Sequence, residues 1–508
     1  MSKQLFKAIH FPDYCESNRP DKVFSISFSE KEMELFKAVS QMSTYQIQEI
    51  LGTTSFAEIK QQANREYRNV GQYIKYKLSQ ALSLTPSLIS RIQTKDVTFS
   101  NSLSIPFQRW YPYIEGYSPQ FVTSLIEDYC TGASLIYDPF AGTGTTLFAC
   151  EAKGIDTVYS EVNPLLRFLI KTKLSVMTMS ETDRESISAE FRSIGHNIIG
   201  IAKKHRPSAK LQKSYNDVFG ESIYFPEDQL NLVLRLRTYI DSIYKSGNEI
   251  LGDLLSVAVF SILLSVSYLK KQGDVRFKTE KEKETEMRNI CVILPEKIES
   301  MCDDLDNLDC KILHKHQLLA NDAKCLDAAS IDRKISHVIT SPPYLNGTNY
   351  FRNTKLELWF LGYIKKETDL RSFRDAALTS GINDVKKEYR SYRNEFDSQL
   401  LDETLSELNQ TAYDKRIPLM VNSYFHEMYQ VFKGLSTKLE DGATLLIDLG
   451  DSIFSGTHIK TDYILSETLS NLGYTLQDRI VLRQRRSRNG SLLSQVLLVY
   501  KYQIQQDE

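Results

Sequence analysis

Four consecutive residues, Ser341, Pro342, Pro343 and Tyr344, follow the apolar segment SHVIT, which has the composition of a buried strand. Two successive prolines fix the backbone and remove two N–H donors, so the carbonyl groups are held rigidly at the end of the strand. The side-chain oxygen of Ser341 and the carbonyl oxygen of Pro342 can accept both hydrogens of an –NH₂ group, which frees the nitrogen lone pair to attack an electrophile. Tyr344 offers a flat face on which a base can stack. The segment therefore predicts a site for an aromatic amine, and a turn with two prolines for purely structural reasons is the alternative.

A second segment, DPFAGTGTT at residues 138–146, stands between the apolar strand SLIY and a predicted helix. Gly142 and Gly144 allow backbone N–H groups to come close to a ligand, and the start of a helix adds positive potential. The segment lacks the Lys-Ser/Thr ending of a Walker A loop, and Leu147 stands where the last glycine of the dinucleotide fingerprint would be. It predicts a loop that binds a nucleotide-like cofactor, and an ordinary glycine turn is the alternative.

Two acidic residues end the strands that follow this loop. Glu161 ends the strand IDTVYS, where a carboxylate can bind both hydroxyls of a ribose, although it can equally serve the helix that starts at Asn163-Pro164. Asp322, in LLANDAKCLD, ends a third strand and can accept a hydrogen bond from an adenine amino group. An ordinary turn aspartate is the other interpretation of Asp322.

The order of these segments resembles that of the exocyclic-amino DNA methyltransferases, which make N4-methylcytosine or N6-methyladenine with S-adenosylmethionine. Two further segments are similar to parts of that family: WYPYIEGYSP resembles its motif X, and NDA before TSPPY resembles its motif III. The resemblance covers roughly residues 105–175 and 311–502. It leaves the first hundred residues and a middle segment unexplained.

The resemblance implies S-adenosylmethionine as cofactor, double-stranded DNA as partner, and restriction or defence proteins as candidate partners. A serine at the first position of SPPY accompanies cytosine N4 methylation more often in that family, so N4-methylcytosine is the favoured product and N6-methyladenine the alternative. The cofactor residues predicted from the motifs and the resemblance are Asp138, Phe140, Gly142, Gly144, Thr145, Glu161 and Asp322. The predicted catalytic residues are Ser341, Pro342, Pro343 and Tyr344.

Other chemistries have less support in the sequence. A C5-cytosine methyltransferase needs a Pro-Cys nucleophile, and no Pro-Cys dipeptide occurs in the chain. The seven cysteines form no CxxC pair, which argues against structural zinc and a disulfide framework. His314 and His316 have no companion ligands nearby in sequence, so no metal site is predicted.

A nucleic-acid partner would need a local basic surface, because the formal net charge of the chain is −2. The segment LRQRRSRNG supplies one candidate. We expect its arginines to contact DNA phosphates: Arg483, Arg485, Arg486 and Arg488.

The predicted fold class is α/β, a seven-stranded Rossmann-like sheet of the methyltransferase type that ends in an antiparallel hairpin. At 508 residues the chain is too long for one ordinary core. The predicted units are a helical unit at 1–100, the first part of the catalytic domain at 101–179, a helical insertion for target recognition at 180–310, and the second part of the catalytic domain at 311–508. The polar segment from Lys365 to Pro418 is compatible with solvated helices, a loop or a binding surface.

The longest apolar run, Leu254 to Leu269, is interrupted by serines and too short to span a membrane comfortably, so we expect a buried helix in a cytoplasmic protein. Two other functions share some of these features. An RNA or tRNA amino-methyltransferase would contain the same motifs, and a non-catalytic DNA-binding subunit would keep the fold without turnover.

Overall fold

A computed structural model describes residues 30–39, 42, 44–53, 55–65, 70–82, 97–113, 115–308, 312–345, 349–386, 394–486 and 490–505. The α-helices of this part of the chain are α1 (Glu30–Val39), α2 (Thr44–Leu51), α3 (Phe56–Arg65), α4 (Val70–Ala81), α5 (Pro119–Tyr129), α6 (Thr145–Glu151), α7 (Pro164–Met177), α8 (Glu181–His196), α9 (Ile198–Lys204), α10 (Ala209–Phe219), α11 (Glu227–Lys245), α12 (Glu249–Phe260), α13 (Glu280–Glu286), α14 (Ile290–Asp306), α15 (Tyr350–Asn353), α16 (Lys355–Phe360), α17 (Leu370–Ala376), α18 (Gln399–Thr411), α19 (Arg416–Ser436) and α20 (Thr461–Leu469).

The strands are β1 (Leu135–Asp138), β2 (Asp156–Ser160), β3 (Leu269–Gln272), β4 (Asp274–Phe277), β5 (His316–Ala320), β6 (Ile335–Thr340), β7 (Leu439–Gly450), β8 (Ser452–Phe454), β9 (Thr457–Ile459), β10 (Tyr474–Arg486) and β11 (Leu492–Tyr502). Among the described residues, seven of them form the main sheet in the order β10-β11-β7-β6-β1-β2-β5. Neighbouring strands from β5 to β7 are parallel, whereas β11 is antiparallel to both β7 and β10. This topology confirms the predicted Rossmann-like methyltransferase sheet and its closing hairpin.

Strands β1 and β6, at the centre of the sheet, are buried along almost their whole length because helices cover both faces of the sheet. Alternate residues of each strand face opposite sides. Tyr137 and Val338 pack in one layer with α18, α19 and α20, whereas Ile136 and Ile339 pack in the other with α5. The carboxyl ends of β1, β2 and β6 consequently meet at one rigid edge, where ligands bind in open parallel sheets.

The chain between β2 and β5 is mostly helical, as the sequence predicts, but it also contains the antiparallel hairpin β3–β4, which the sequence analysis did not predict. The expectation of one buried helix over Leu254 to Leu269 is wrong beyond Phe260, where α12 ends. The hydroxyls of Ser261 and Ser267 bond to backbone carbonyls three residues back, and such local bonds compete with helix continuation. In the described part of the chain, no helix combines the length and apolarity needed to cross a membrane.

The described part of residues 1–100 is helical from α1 to α4 and forms its own apolar cluster, which includes Leu35, Ile59 and Ile74. This agrees with helix-period patterning in the sequence. The division into units at 100, 180 and 310 remains an interpretation of the sequence.

Candidate active site

A cavity of about 250 Å³ lies at the carboxyl ends of β1, β2 and β6. Residues from both motifs and from the acidic strand ends line it together. The predicted site residues on its wall are Phe140, Gly142, Thr145, Glu161, Asp322, Ser341, Pro342, Pro343, Tyr344 and Arg483. Segments separated by up to about 340 residues in sequence therefore meet at one place.

Asp138 and Gly144 lie behind this wall and shape the loop after β1. The Asp138 carboxylate is buried and accepts hydrogen bonds from the hydroxyls of Thr146 at 2.5 Å and Thr340 at 2.8 Å, and from the backbone N–H of Phe140 at 3.1 Å. Because Thr340 ends β6, this one carboxylate joins the loop after β1 to the start of the SPPY segment. Asp138 acts on the cavity by holding these two segments in register.

Gly142 lines the cavity in a left-handed conformation, with φ of 55°. A β-carbon at this position would lie 3.2 Å from the ring of Tyr113, which lines the same cavity. A side chain at residue 142 would therefore be strained and crowded at once.

The structure shows Glu161 in its role at the start of α7 and also at the wall of the cavity, where ribose binding stays a prediction. Its Oε2 accepts the backbone N–H of Gly142 and its Oε1 that of Asn163, each at 2.8 Å, so it ties the glycine loop to the start of α7. The same carboxylate lines the cavity although the residue is only 8% exposed. Burial raises the pKa of Glu161 to about 7, against the lowering effect of the two amide hydrogen bonds.

Asp322 lies just beyond β5 and caps the short 3₁₀ helix that follows, where its side chain accepts the backbone N–H of Lys324 at 2.9 Å. It also lines the cavity, and burial raises its pKa. Asp322 therefore caps the 3₁₀ helix and also faces the cavity.

The SPPY segment leaves β6 and crosses the floor of the cavity. The Tyr344 hydroxyl donates to Oδ1 of Asp448 at 3.0 Å, and hydrogen bonding with Ser341 acts on the same hydroxyl, whose pKa burial raises strongly. The ring lies against Gly450, where a β-carbon would come within 3.0 Å of it. The orientation of the aromatic face is thus set by β7 as well as by the two prolines.

Asp448 and Gln495 are site residues that the sequence analysis missed. Both line the cavity, and the Gln495 amide donates to both oxygens of Asp448, at 2.8 and 2.9 Å. Burial raises the pKa of Asp448 to about 7. The available signal was the acidic residue inside the otherwise apolar run LLIDLG, because a carboxylate in a buried strand needs dedicated partners.

The four arginines predicted to bind DNA have different positions. Arg483 lies on β10 at the cavity wall, and its charge lowers the pKa of Asp448. Arg485 and Arg486 are exposed farther along the same strand. Arg488 lies outside the described residues.

His314 and His316 lie away from this cavity and contact a common carboxylate. Nε2 of His316 is 2.9 Å and Nδ1 of His314 is 3.3 Å from Oε2 of Glu151. Within the ranges that the structure describes, no group of three or more His, Cys, Asp or Glu side chains could hold a metal ion.

The chemistry of the cavity fits a cofactor that carries a ribose and an adenine. A carboxylate has about four acceptor positions, and two of those on Glu161 are taken by amides, which leaves capacity for hydroxyl donors from the cavity side. Asp322 adds a second acceptor, and Phe140 adds an apolar wall.

Comparisons with known proteins give distant relatives. No family model matches the chain. It is 26% identical over 421 residues to the Type II methyltransferase M.AvaI of Nostoc sp. and equally to that of Anabaena variabilis, with 77% of this chain and 84% of the relative covered. It is 22% identical over 444 residues to the Type II methyltransferase M.BsoBI of Geobacillus stearothermophilus, with 78% and 84% covered.

Among solved structures, the rRNA methyltransferase aviRa from Streptomyces viridochromogenes matches at 8% identity and a TM-score of 0.28, over 81% of this chain and 94% of that one. At that score the match is too loose to support any argument about substrate.

Proposed function

We propose that this chain methylates the exocyclic amine of a base in double-stranded DNA. Its fold and its similarity to named methyltransferases support a methyltransferase enzyme. One observation carries the proposal: the Ser341–Tyr344 segment and the Glu161 carboxylate line the same cavity. A place for an activated amine and a place for a ribose-bearing cofactor are therefore contiguous.

The proposed cofactor is S-adenosylmethionine, held by the loop after β1 around Phe140, Gly142 and Thr145, with Glu161 on its ribose and Asp322 at its adenine. When bound, it supplies the methyl group, which an amine nitrogen accepts with loss of one proton. Asp138 supports this arrangement indirectly through Thr146 and Thr340.

The proposed target is a flipped base, because an exocyclic amine that is paired and stacked inside a duplex cannot enter a cavity at the ends of the strands. Flipping costs a few kcal/mol. Ser341 and the Pro342 carbonyl orient the –NH₂ group, and Tyr344 stacks on the ring. The rate then comes from positioning and from oxygen acceptors near a nitrogen that becomes positively charged.

Similarity to two proteins that are named Type II methyltransferases supports DNA as the substrate. We propose cytosine N4 as the acceptor, with adenine N6 as the alternative, and restriction or defence proteins as candidate partners. The helical segment 180–310 is the proposed target-recognition unit.

Methyl transfer from radiolabelled S-adenosylmethionine tests the proposal on unmethylated genomic DNA and on bulk tRNA in parallel. We expect label in DNA alone, and nucleoside mass spectrometry then identifies the base. Label in tRNA and none in DNA would replace this function with an RNA amino-methyltransferase. Cofactor binding without transfer to either would indicate a non-catalytic subunit.

A further inference from the structure

A second cavity, of about 310 Å³, adjoins the first. Phe351 of α15 lines both of them, so one side chain forms a shared wall. The second cavity lies between the hairpin β3–β4 and the helices that follow the SPPY segment. Its polar and charged lining residues are Arg276, Asn349, Arg352, Asn353, Lys355, Glu367, Arg374 and Asn383.

The charge of this lining is predominantly positive and only partly compensated. Arg276 is bound by Glu282, at 2.8 Å. In the described part of the chain, Arg352 and Arg374 have no carboxylate within ion-pair distance. Among the described residues, these two guanidinium groups at the wall of the cavity therefore form no ion pair with a carboxylate.

Lys355 adds a third cation. Its ammonium group is 3.8 Å from Glu367, whose side chain is 79% exposed, and it lies over the ring of Phe219. Burial lowers the pKa of Lys355. Asp384 acts on Arg374 only at longer range, and burial raises the pKa of that carboxyl to about 6. The cavity thus has an excess of positive charge that an anionic ligand would neutralise.

Hydrogen bonds join the hairpin to α15, the short helix that carries Arg352. The backbone N–H of Val275 in β4 donates to the Asn353 side chain at 2.9 Å, and the Asn349 side chain caps α15 by accepting the N–H of Arg352 at 2.9 Å. Tyr350 lines the first cavity, and Arg352 lines the second. The short α15 therefore fixes the distance between the two ligand spaces.

We propose that the second cavity binds the phosphate backbone of the substrate strand next to the nucleotide that enters the first cavity. The inference rests on the proposed function and names where that substrate is held. A strand carries regularly spaced phosphates, and one guanidinium group can donate two parallel hydrogen bonds to two oxygens of one phosphate. Because Phe351 lines both cavities, the base of one nucleotide and a neighbouring phosphate of the same strand can occupy adjacent spaces.

The test is the salt dependence of binding to a fluorescently labelled DNA duplex, measured by anisotropy over a range of KCl concentrations. For R352A/R374A we expect the slope of log affinity against log salt to become shallower by about two units, since each lost phosphate contact removes about one. The KM for DNA should rise about tenfold or more, with little change in kcat. R371A is the matched control, because Arg371 lies on the same helix α17, is exposed and pairs with Asp375 at 3.9 Å.

An unchanged slope in folded R352A/R374A would overturn the inference while leaving methyl transfer by the wild-type enzyme as evidence for the proposed function. The charge-retaining variant R352K/R374K should keep most of the slope. If the alanine variant does not fold, R352Q/R374Q serves the same test, because it also removes both charges but retains more of each side chain. Loss of slope in the lysine variant would also contradict phosphate binding. Wild-type protein that binds the duplex with the expected slope and transfers no methyl group would overturn the proposed activity alone.

Discussion

The hydroxyl of Tyr344 donates a hydrogen bond to Asp448 at 3.0 Å, from the segment after β6 to the adjacent strand β7. Asp448 is in turn held by Gln495 on β11. The aromatic residue proposed to stack on the base is therefore oriented by three neighbouring strands. Two prolines alone would fix its backbone but would leave its side-chain torsions free.

Tyr344→Phe keeps the ring and removes this link. We expect it to lower the free energy of unfolding by about 1–2 kcal/mol, because Asp448 loses a donor in a buried site, and to lower kcat about tenfold. Urea unfolding and steady-state kinetics measure the two effects. Tyr424→Phe is the control, since the hydroxyl of that buried tyrosine has no hydrogen-bond partner in the described structure. Equal losses in both variants would mean that the Tyr344–Asp448 bond has no special role.

Gly142→Val should abolish measurable S-adenosylmethionine binding, by at least about a hundredfold, while the protein stays folded. The branched side chain would enter the cavity beside Tyr113 and could not adopt the left-handed backbone without strain. Isothermal titration calorimetry measures the affinity. Gly132→Val carries the same kind of strain, with φ of 74°, but has open space around its β-carbon. Retained affinity in a folded Gly142→Val protein would refute the assignment of the loop.

The sequence predicted the main sheet well because its central strands are buried on both faces and contain apolar stretches such as LIY in β1 and LLI in β7. It did not predict β3–β4, since LKKQ and DVRF are strongly polar and only the left-handed Gly273 between them signals a turn. The hairpin is held by long-range contacts such as Val275 to Asn353. Such contacts leave no periodic pattern in the sequence.

In the candidate site, too, some residues could be predicted from the sequence and others could not. Motif residues such as Glu161 and Ser341 stand at the ends of predicted strands, so their convergence follows from parallel topology. Asp448 lies within a strand, and its role depends on the position of Tyr344 in the folded chain. Asp138 was predicted from its motif position to contact the cofactor, but in the structure it is buried behind the cavity wall.

The affinity for S-adenosylmethionine should increase with pH because the pKa of Glu161 is raised to about 7 by burial. The ionised carboxylate accepts ribose hydroxyls, and about tenfold more of it is present at pH 8 than at pH 6. We expect an increase in affinity of about that size over this range, and a flat profile for Glu161→Gln. Calorimetry across the pH range tests this, and a wild-type profile as flat as that of the glutamine variant would rule out ribose binding by Glu161.

The same raised pKa predicts the effect of pH on stability. A carboxyl whose pKa is higher in the folded state stabilises the fold at low pH, and this contribution is lost as the pH rises through about 7. Relative to Glu161→Gln, the wild-type protein should therefore lose free energy of unfolding between pH 5 and pH 8. A constant difference between the two proteins would contradict the buried, protonated state.

The triple substitution of Arg485, Arg486 and Arg488 by alanine should weaken DNA binding and reduce its salt slope by about two to three units, without changing cofactor affinity. Arg483 is left unchanged in this variant and is substituted separately, because its charge also lowers the pKa of Asp448. Arg416→Ala is a control, since Arg416 is exposed and paired with Asp414 at 2.7 Å. An unchanged slope in the triple variant would show that this edge of the sheet faces away from DNA.

Ser341→Ala should lower kcat by about a hundredfold or more and leave the affinity for S-adenosylmethionine within about twofold. The serine oxygen is proposed to contact the target amine, beside its hydrogen bond with the Tyr344 hydroxyl, whereas Glu161 and the loop after β1 are proposed to hold the cofactor. Removing one preorganised hydrogen-bonding group that acts mainly in the transition state costs about 3 kcal/mol, which corresponds to a factor of that size. Ser341→Thr retains a hydroxyl and should keep part of the activity. Single-turnover kinetics and calorimetry separate the two effects, and full activity in the alanine variant would refute the amine-binding role of Ser341.

Nucleoside mass spectrometry of the methylated DNA identifies the base independently: N6-methyladenine without N4-methylcytosine would refute the cytosine assignment and leave the proposed role of Ser341 intact.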